Sequence, residues 1–131
     1  MEEIQNLINS AIKASEFAKA QYSDFPVGAA LITSDNTVFT GCNVESSSFS
    51  LTICAERVAL VKALSEGFTS FKRIAIYAKN ADYCPPCGAC RQLLFDYAPD
   101  LEIILTDGVK YKSYRLRDIL PEAFEESKLK K

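Results

Sequence analysis

The chain has 131 residues, 48% of them hydrophobic and 24% charged, the make-up of a soluble globular protein long enough to bury a core without disulfides. Its net charge is −2, and apart from the terminal "KLKK" it has no basic run of the kind a nucleic acid polymer needs as partner. No apolar run approaches the ~20 residues of a membrane span, and the acidic "MEEIQNLINS" is unlike a secretory leader, so neither a membrane partner nor export is expected.

The first predicted element is an amphipathic helix over residues 2–20, where Ile4, Leu7, Ile8, Ala11, Ile12 and Ala18 recur with a helical period. "FPVGAALITSDNTVFTGCNV" then reads as two strands joined at Ser34-Asp35-Asn36, a hairpin. "TICAERVALVKALSEG" follows as a helix, with Gly67 placed to cap its end. "RIAIYAK" and "LEIILT" are short apolar strands. Between them, "CPPCGACRQLLFDYAPD" predicts a helix from near Cys87 to about Tyr97, opened by the prolines and stopped by Pro99. A short strand at "VKYKSY" and a last helix near "LRDIL" complete the series, and the tail "EESKLKK" reads as a solvated end. No linker or repeat interrupts residues 1–131, which predicts one domain with a sheet covered by helices on both faces.

The five cysteines are an odd number, and a cytoplasmic chain keeps its thiols reduced, so a disulfide framework is not expected. There is no histidine, so any metal site must use thiolates and carboxylates. With helix onset at Pro86, Cys87 and Cys90 share the first turn and one face. The positive end of a helix also favours thiolate over thiol there. Cys84 precedes two prolines and is held extended, away from that turn. Cys54 opens the other internal helix, and the two helix starts can meet at one end of the sheet. Zinc held by Cys54, Cys87 and Cys90 would keep one position open, as catalytic zinc does. Glu56 is placed to carry protons, and Arg57, with Arg91, to offset the negative charge of three thiolates. Two alternatives stand beside this reading: thiols packed as small hydrophobes, and a structural site closed by Cys84 or Cys42.

"CAE" followed by "PCGAC" is an all-cysteine form of a zinc-deaminase signature. Together with "YSDFPVGAAL", "GCNVE", "LTICAER", "PCGACRQ" and "ILPEAF", in this order, the chain resembles small, homotetrameric-class cytidine deaminases from Tyr22 to Phe124. The resemblance implies a three-layer α/β/α fold with a mixed five-stranded sheet, and hydrolysis of cytidine and deoxycytidine to uridine and deoxyuridine with release of ammonia. It implies one zinc ion per subunit on Cys54, Cys87 and Cys90, with Glu56 as proton shuttle. Phe25 corresponds to a wall of the pyrimidine pocket, Asn43 and Glu45 to ribose contacts, and the Ala55 backbone to a contact with the base edge. Phe124 resembles an aromatic that closes a neighbouring subunit's pocket.

The resemblance breaks at two places, one of them Pro85, which stands where the family commonly has Ser but keeps its carbonyl as an acceptor. Where the family reads close to "NVENASYG", this chain reads "NVESSSFS". Phe49 lacks a hydroxyl that would meet the sugar or a neighbouring subunit, and Ser50 replaces a glycine, which predicts difficulty if the backbone there is left-handed. A related modified cytosine nucleoside is therefore the alternative substrate.

Overall fold

The structure, a computed structural model, describes residues 2–125 and Leu129. The tail "EESKLKK" therefore lies, apart from Glu125 and Leu129, outside the described residues. Helix α1 (Glu2–Ser15) comes first, then strands β1 (Val27–Thr33) and β2 (Val38–Cys42). A 3₁₀ turn at Phe49–Leu51 leads to α2 (Ala55–Ser65), β3 (Phe71–Ala78), α3 (Gly88–Tyr97), β4 (Glu102–Thr106), β5 (Tyr111–Arg115) and a second 3₁₀ turn, Leu116–Ile119.

Two predicted boundaries are corrected. Helix α1 stops at Ser15 rather than near residue 20: the amides of Glu16, Phe17 and Ala18 fold back on the carbonyls three residues earlier. The chain then turns extended so that Lys19 pairs with Val44, and this pairing overrides the local helical pattern. The last element is a 3₁₀ turn and not an α-helix. Four residues before Pro121 are too few to sustain an α-helical nucleus. The other predicted helices and strands are present. The hairpin turns at Asn36, whose φ is 72°. Gly67, at φ 92°, ends α2 with its amide on the Leu64 carbonyl (3.0 Å) and the Phe68 amide on the Ala63 carbonyl (3.1 Å), a glycine cap.

The five strands form one mixed sheet in the order β2-β1-β3-β4-β5. β1 runs antiparallel to both β2 and β3, β3 is parallel to β4, and β5 is antiparallel to β4. Hence β2, β3 and β4 all point the same way. Residues alternate across the sheet. Ala29 and Leu31 of β1, Ile74 and Ile76 of β3, and Ile103 and Leu105 of β4 pack in one cluster with Ala59 and Leu60 of α2 and Leu94 of α3. Their neighbours Ala30, Ile32, Ala75 and Ile104 face Ile4, Leu7, Ile8 and Ala11 of α1 on the other side. The result is three layers, with α1 alone on one face and α2 and α3 on the other. No helix among the described residues is long and apolar enough to cross a membrane.

This topology places the chemistry. Because β2 leads into α2 and β3 into α3, and the two strands are parallel, both helices begin at the same end of the sheet. That is the end where open α/β sheets hold ligands.

Candidate active site

Each of these two helix starts has a cysteine at its N-cap: Cys54 before Ala55, and Cys87 before Gly88. Neither thiol makes a capping hydrogen bond to its helix. Instead they converge with Cys90 from the first turn of α3. The Sγ atoms of Cys87 and Cys90 are 3.5 Å apart, and all three sulfurs lie within 4.8 Å of one another. Zinc with four ligands at about 2.3 Å keeps its sulfurs about 3.8 Å apart, so the trio fits one ion with little movement. Cys84 is not part of the trio: its thiol is directed at the Pro85 carbonyl (3.9 Å) and packs against the main apolar cluster. Cys42 stays in β2, opposite Gly28 of β1. Among the described residues the metal group therefore has three thiols, not four.

The surroundings favour an anion on this trio. The hydrogen bond from Cys90, then that from Cys87 and the charge of Arg57, bring the Cys54 thiol down to about 5 against the opposing effect of burial. Cys90, as donor to Cys54, is correspondingly pushed far up. Arg57 donates through Nη2 to the Thr52 carbonyl at 3.0 Å, and its Nε is buried without a partner. An orphaned donor on a guanidinium set against a thiolate is the arrangement that a negatively charged metal–sulfur group would satisfy.

Glu56, in the first turn of α2, is 5% exposed. Burial pushes its carboxyl up to about 7, and the neighbouring Cys54 charge adds to this, while its own amide and Arg57 work the other way. A carboxyl that exchanges its proton near neutrality is suited to general acid–base chemistry. Ala55, beside it, is fully buried at the head of the helix.

Asn43 and Glu45, one on each side of Val44, are brought together. The Asn43 side chain spans the chain leading into β1: Oδ1 accepts the Val27 amide at 2.9 Å, and Nδ2 donates to the Phe25 carbonyl at 3.0 Å and to Glu45 Oε2 at 3.4 Å. Glu45 Oε1 accepts the amides of Tyr22 (2.9 Å) and Ser23 (3.0 Å), and its Oε2 accepts the Ser23 hydroxyl. These bonds hold the Glu45 carboxyl below its usual range, the Ser23 hydroxyl having the largest effect. Phe25 is half-buried against the main cluster. Arg91 Nε and Nη1 donate to the carbonyls of Pro86 and Ile119, each at 2.7 Å, so these donors brace the cysteine loop rather than a sulfur. Phe124 is half exposed and lines a different hollow, with Phe95, Tyr97 and Arg117.

Residues 1–105 match the model of the cytidine and deoxycytidylate deaminase zinc-binding region. The chain belongs to this family. It is 40% identical over 129 residues to a cytidine deaminase of Sporosarcina psychrophila, covering 97% of this chain and 95% of that one. It is 43% identical over 131 residues to a probable cytidine deaminase of Dictyostelium discoideum, covering 98% and 88%. The crystal structure of cytidine deaminase from Burkholderia pseudomallei superimposes with a TM-score of 0.87 at 45% identity, covering 91% of this chain and 97% of that one.

In this deaminase-family chain the departure at "SSSFS" causes no backbone strain. Ser50 lies in the 3₁₀ turn Phe49–Leu51, and the non-glycine residues with positive φ are Asp24, Asn36 and Glu122 among those described. The expected difficulty at Ser50 is therefore absent. Phe49 is 78% exposed and, with Tyr22, Ser23, Glu45, Ser46 and Thr52, lines a hollow of about 270 Å³. The sequence reading did not single out Ser23, which touches Glu45 twice. A signal was present, because a serine two residues before an amide that needs an acceptor forms a side-chain turn. Its hydroxyl accepts the Phe25 amide at 3.1 Å.

Proposed function

We propose that this chain, read over residues 1–131 as one deaminase domain, hydrolyses cytidine and deoxycytidine to the corresponding uracil nucleosides and ammonia in cytoplasmic pyrimidine salvage. The observation that carries this reading is the convergence of three cysteine sulfurs within 4.8 Å, with a buried carboxyl two residues after the first of them. Cys54, Cys87 and Cys90 hold one zinc ion per subunit. When bound, such an ion makes water acidic enough to act as a nucleophile near neutral pH.

The rest of the chemistry falls to the chain's own residues. Glu56 takes a proton from the attacking water and gives it to the ring nitrogen beside the amine-bearing carbon. It then takes the remaining proton of the hydroxyl added at the ring carbon and delivers it to the amine, so that the carbonyl forms as the carbon–nitrogen bond breaks and ammonia leaves. Arg57 offsets the thiolate charge at Cys54. The Ala55 backbone meets the base edge and Phe25 walls the pyrimidine. Asn43 and Glu45 take the sugar: Nδ2 donates to a hydroxyl whose own proton goes to Oε2. Binding energy gathered at the sugar supports the step at the base. Arg91 positions the loop that carries Cys87 from behind.

The working unit in this reading is a homotetramer in which Phe124 serves a neighbour's pocket. Support comes from its half-exposed ring, which lines a hollow away from the cysteines, and from the exposed apolar side chains of Val44, Phe49, Leu51 and Ile53 next to the site. A second reading, turnover of a cytosine nucleoside modified at its sugar end, is favoured by the hollow that Phe49 and Ser46 line beside Glu45.

The test is ultraviolet-monitored turnover of cytidine and deoxycytidine by zinc-loaded protein, with ammonia assayed and Glu56→Gln as control. Conversion by the native protein, lowered at least ~100-fold in the control, supports the reading. A zinc-loaded protein that converts neither nucleoside overturns it and moves the search to modified cytosine nucleosides.

A further inference from the structure

Glu45 has four acceptor positions on its two oxygens. Oε1 receives two backbone amides, from Tyr22 at 2.9 Å and Ser23 at 3.0 Å, and is thereby saturated. Oε2 receives the Ser23 hydroxyl and, at the long distance of 3.4 Å, the Asn43 amide. The weakest of the four contacts is thus the one between Asn43 and Glu45. A sugar hydroxyl can replace it without breaking another, since a hydroxyl accepts from Nδ2 and donates to Oε2. The Ser23 hydroxyl cannot drift from this role, because its own lone pair is engaged by the Phe25 amide at 3.1 Å.

We infer that Ser23 is a positioning residue for sugar recognition: its hydroxyl and amide together fix the rotation of the Glu45 carboxylate so that Oε2 faces Asn43 and accepts one sugar hydroxyl. Without the hydroxyl, the carboxylate keeps its two amides on Oε1 but is free to rotate about that anchor. Glu45 then presents Oε2 in more than one direction, and the sugar loses a defined acceptor. The same serine ties the loop before β1 to the segment after β2, so it couples the pyrimidine wall at Phe25 to the sugar end.

This inference rests on the proposed sugar role of Asn43 and Glu45, and the test separates the two. The kcat and KM of the zinc-loaded full chain are measured on cytidine and on 3′-deoxycytidine, for the native protein and for Ser23→Ala, Ser23→Thr and Glu45→Gln. We expect Ser23→Ala to lose about tenfold in kcat/KM on cytidine, chiefly in KM, and less than about threefold on 3′-deoxycytidine. Ser23→Thr, which keeps the hydroxyl, restores the preference. Equal losses on both nucleosides mean a merely structural serine, and no loss on either means an idle one; both overturn the inference. If Glu45→Gln erases the preference while Ser23→Ala keeps it, the Ser23 inference alone falls. If Glu45→Gln leaves the preference intact, the sugar reading itself falls and takes the inference with it.

Discussion

A β-carbon added to Gly41 would lie 2.3 Å from the carbonyl oxygen of Ala55. The bare backbone of β2 is therefore the seat on which the first turn of α2 rests, and that turn carries Cys54 and Glu56. The Ala59 amide, 2.6 Å from the same point, is backbone too and cannot swing aside. Gly41→Ala should push α2 outward, costing about 1–3 kcal/mol of stability and about 100-fold in kcat/KM. Gly28→Ala is the control, since its clash with the Ala11 carbonyl at 2.0 Å falls on the α1 face. It should lower the melting temperature by as much and kcat/KM far less. Equal kinetic losses in the two variants would contradict this view of α2.

Metal analysis of cysteine variants should sort the five thiols into two classes. Replacing Cys54, Cys87 or Cys90 by Ser should leave zinc well below one equivalent after dialysis against a mild chelator. Cys84→Ser and Cys42→Ser should retain it. Loss of zinc from Cys84→Ser would revive a four-thiol structural site.

Arg57→Leu removes the cation beside Cys54 and, with it, the buried Nε that lacks a partner. Zinc affinity, read by competition with a chromophoric chelator, should fall about 10–100-fold. An unchanged affinity would make Arg57 a tether for the Thr52 carbonyl and nothing more.

At the opposite side of the molecule, Arg73 bridges Glu3 and Glu102, with Nε 2.8 Å from Glu102 Oε1. Burial pushes the Glu102 carboxyl up, but hydrogen bonds from Ser113 and Arg73 outweigh it and leave the group below its usual 4.5. A carboxyl held below its unfolded value stabilises the fold above that value and loses this effect as pH falls through the folded one. Chemical denaturation of native protein and Glu102→Gln should differ by about 1 kcal/mol at pH 7. The difference should shrink steadily below about pH 4.5. A gap that is constant with pH would show that packing, not charge, explains it.

Much of this arrangement was legible in the sequence because it depends on local rules. Pro85 and Pro86 before Cys87 announce a helix start, Gly67 a helix end, and Ser34-Asp35-Asn36 a hairpin. The meeting of Cys54 with Cys87 is not local, yet it follows from strand order: parallel β2 and β3 send both helices off the same edge. Two readings failed where a distant partner outweighed a nearby pattern. Residues 16–20 continue the apolar spacing of α1, but Lys19 gains two backbone hydrogen bonds by joining Asn43 and Glu45 instead. The segment "LRDIL" has helical composition, but the Leu116 amide is taken by the Leu101 carbonyl at 3.0 Å and Pro121 follows soon after. The web around Glu45 was hidden for a different reason. Half of it is built from the backbone amides of Tyr22 and Ser23, which no side-chain pattern marks, and only the Ser23 hydroxyl left a signal, two residues before the Phe25 amide it accepts.

Arg91 joins the Pro86 carbonyl to the Ile119 carbonyl, while α1 lies across the sheet from every cysteine of the trio. The two ends of the chain are therefore not equivalent as places to attach something. An affinity handle or fluorescent partner fused ahead of Glu2 is insulated from the thiols by the full thickness of the sheet. One fused beyond Phe124 pulls on a segment that a single guanidinium links directly to the backbone next to Cys87. Purification or immobilisation through the N-terminal side should leave metal content undisturbed, and attachment at the other side is where loss of zinc is to be watched for.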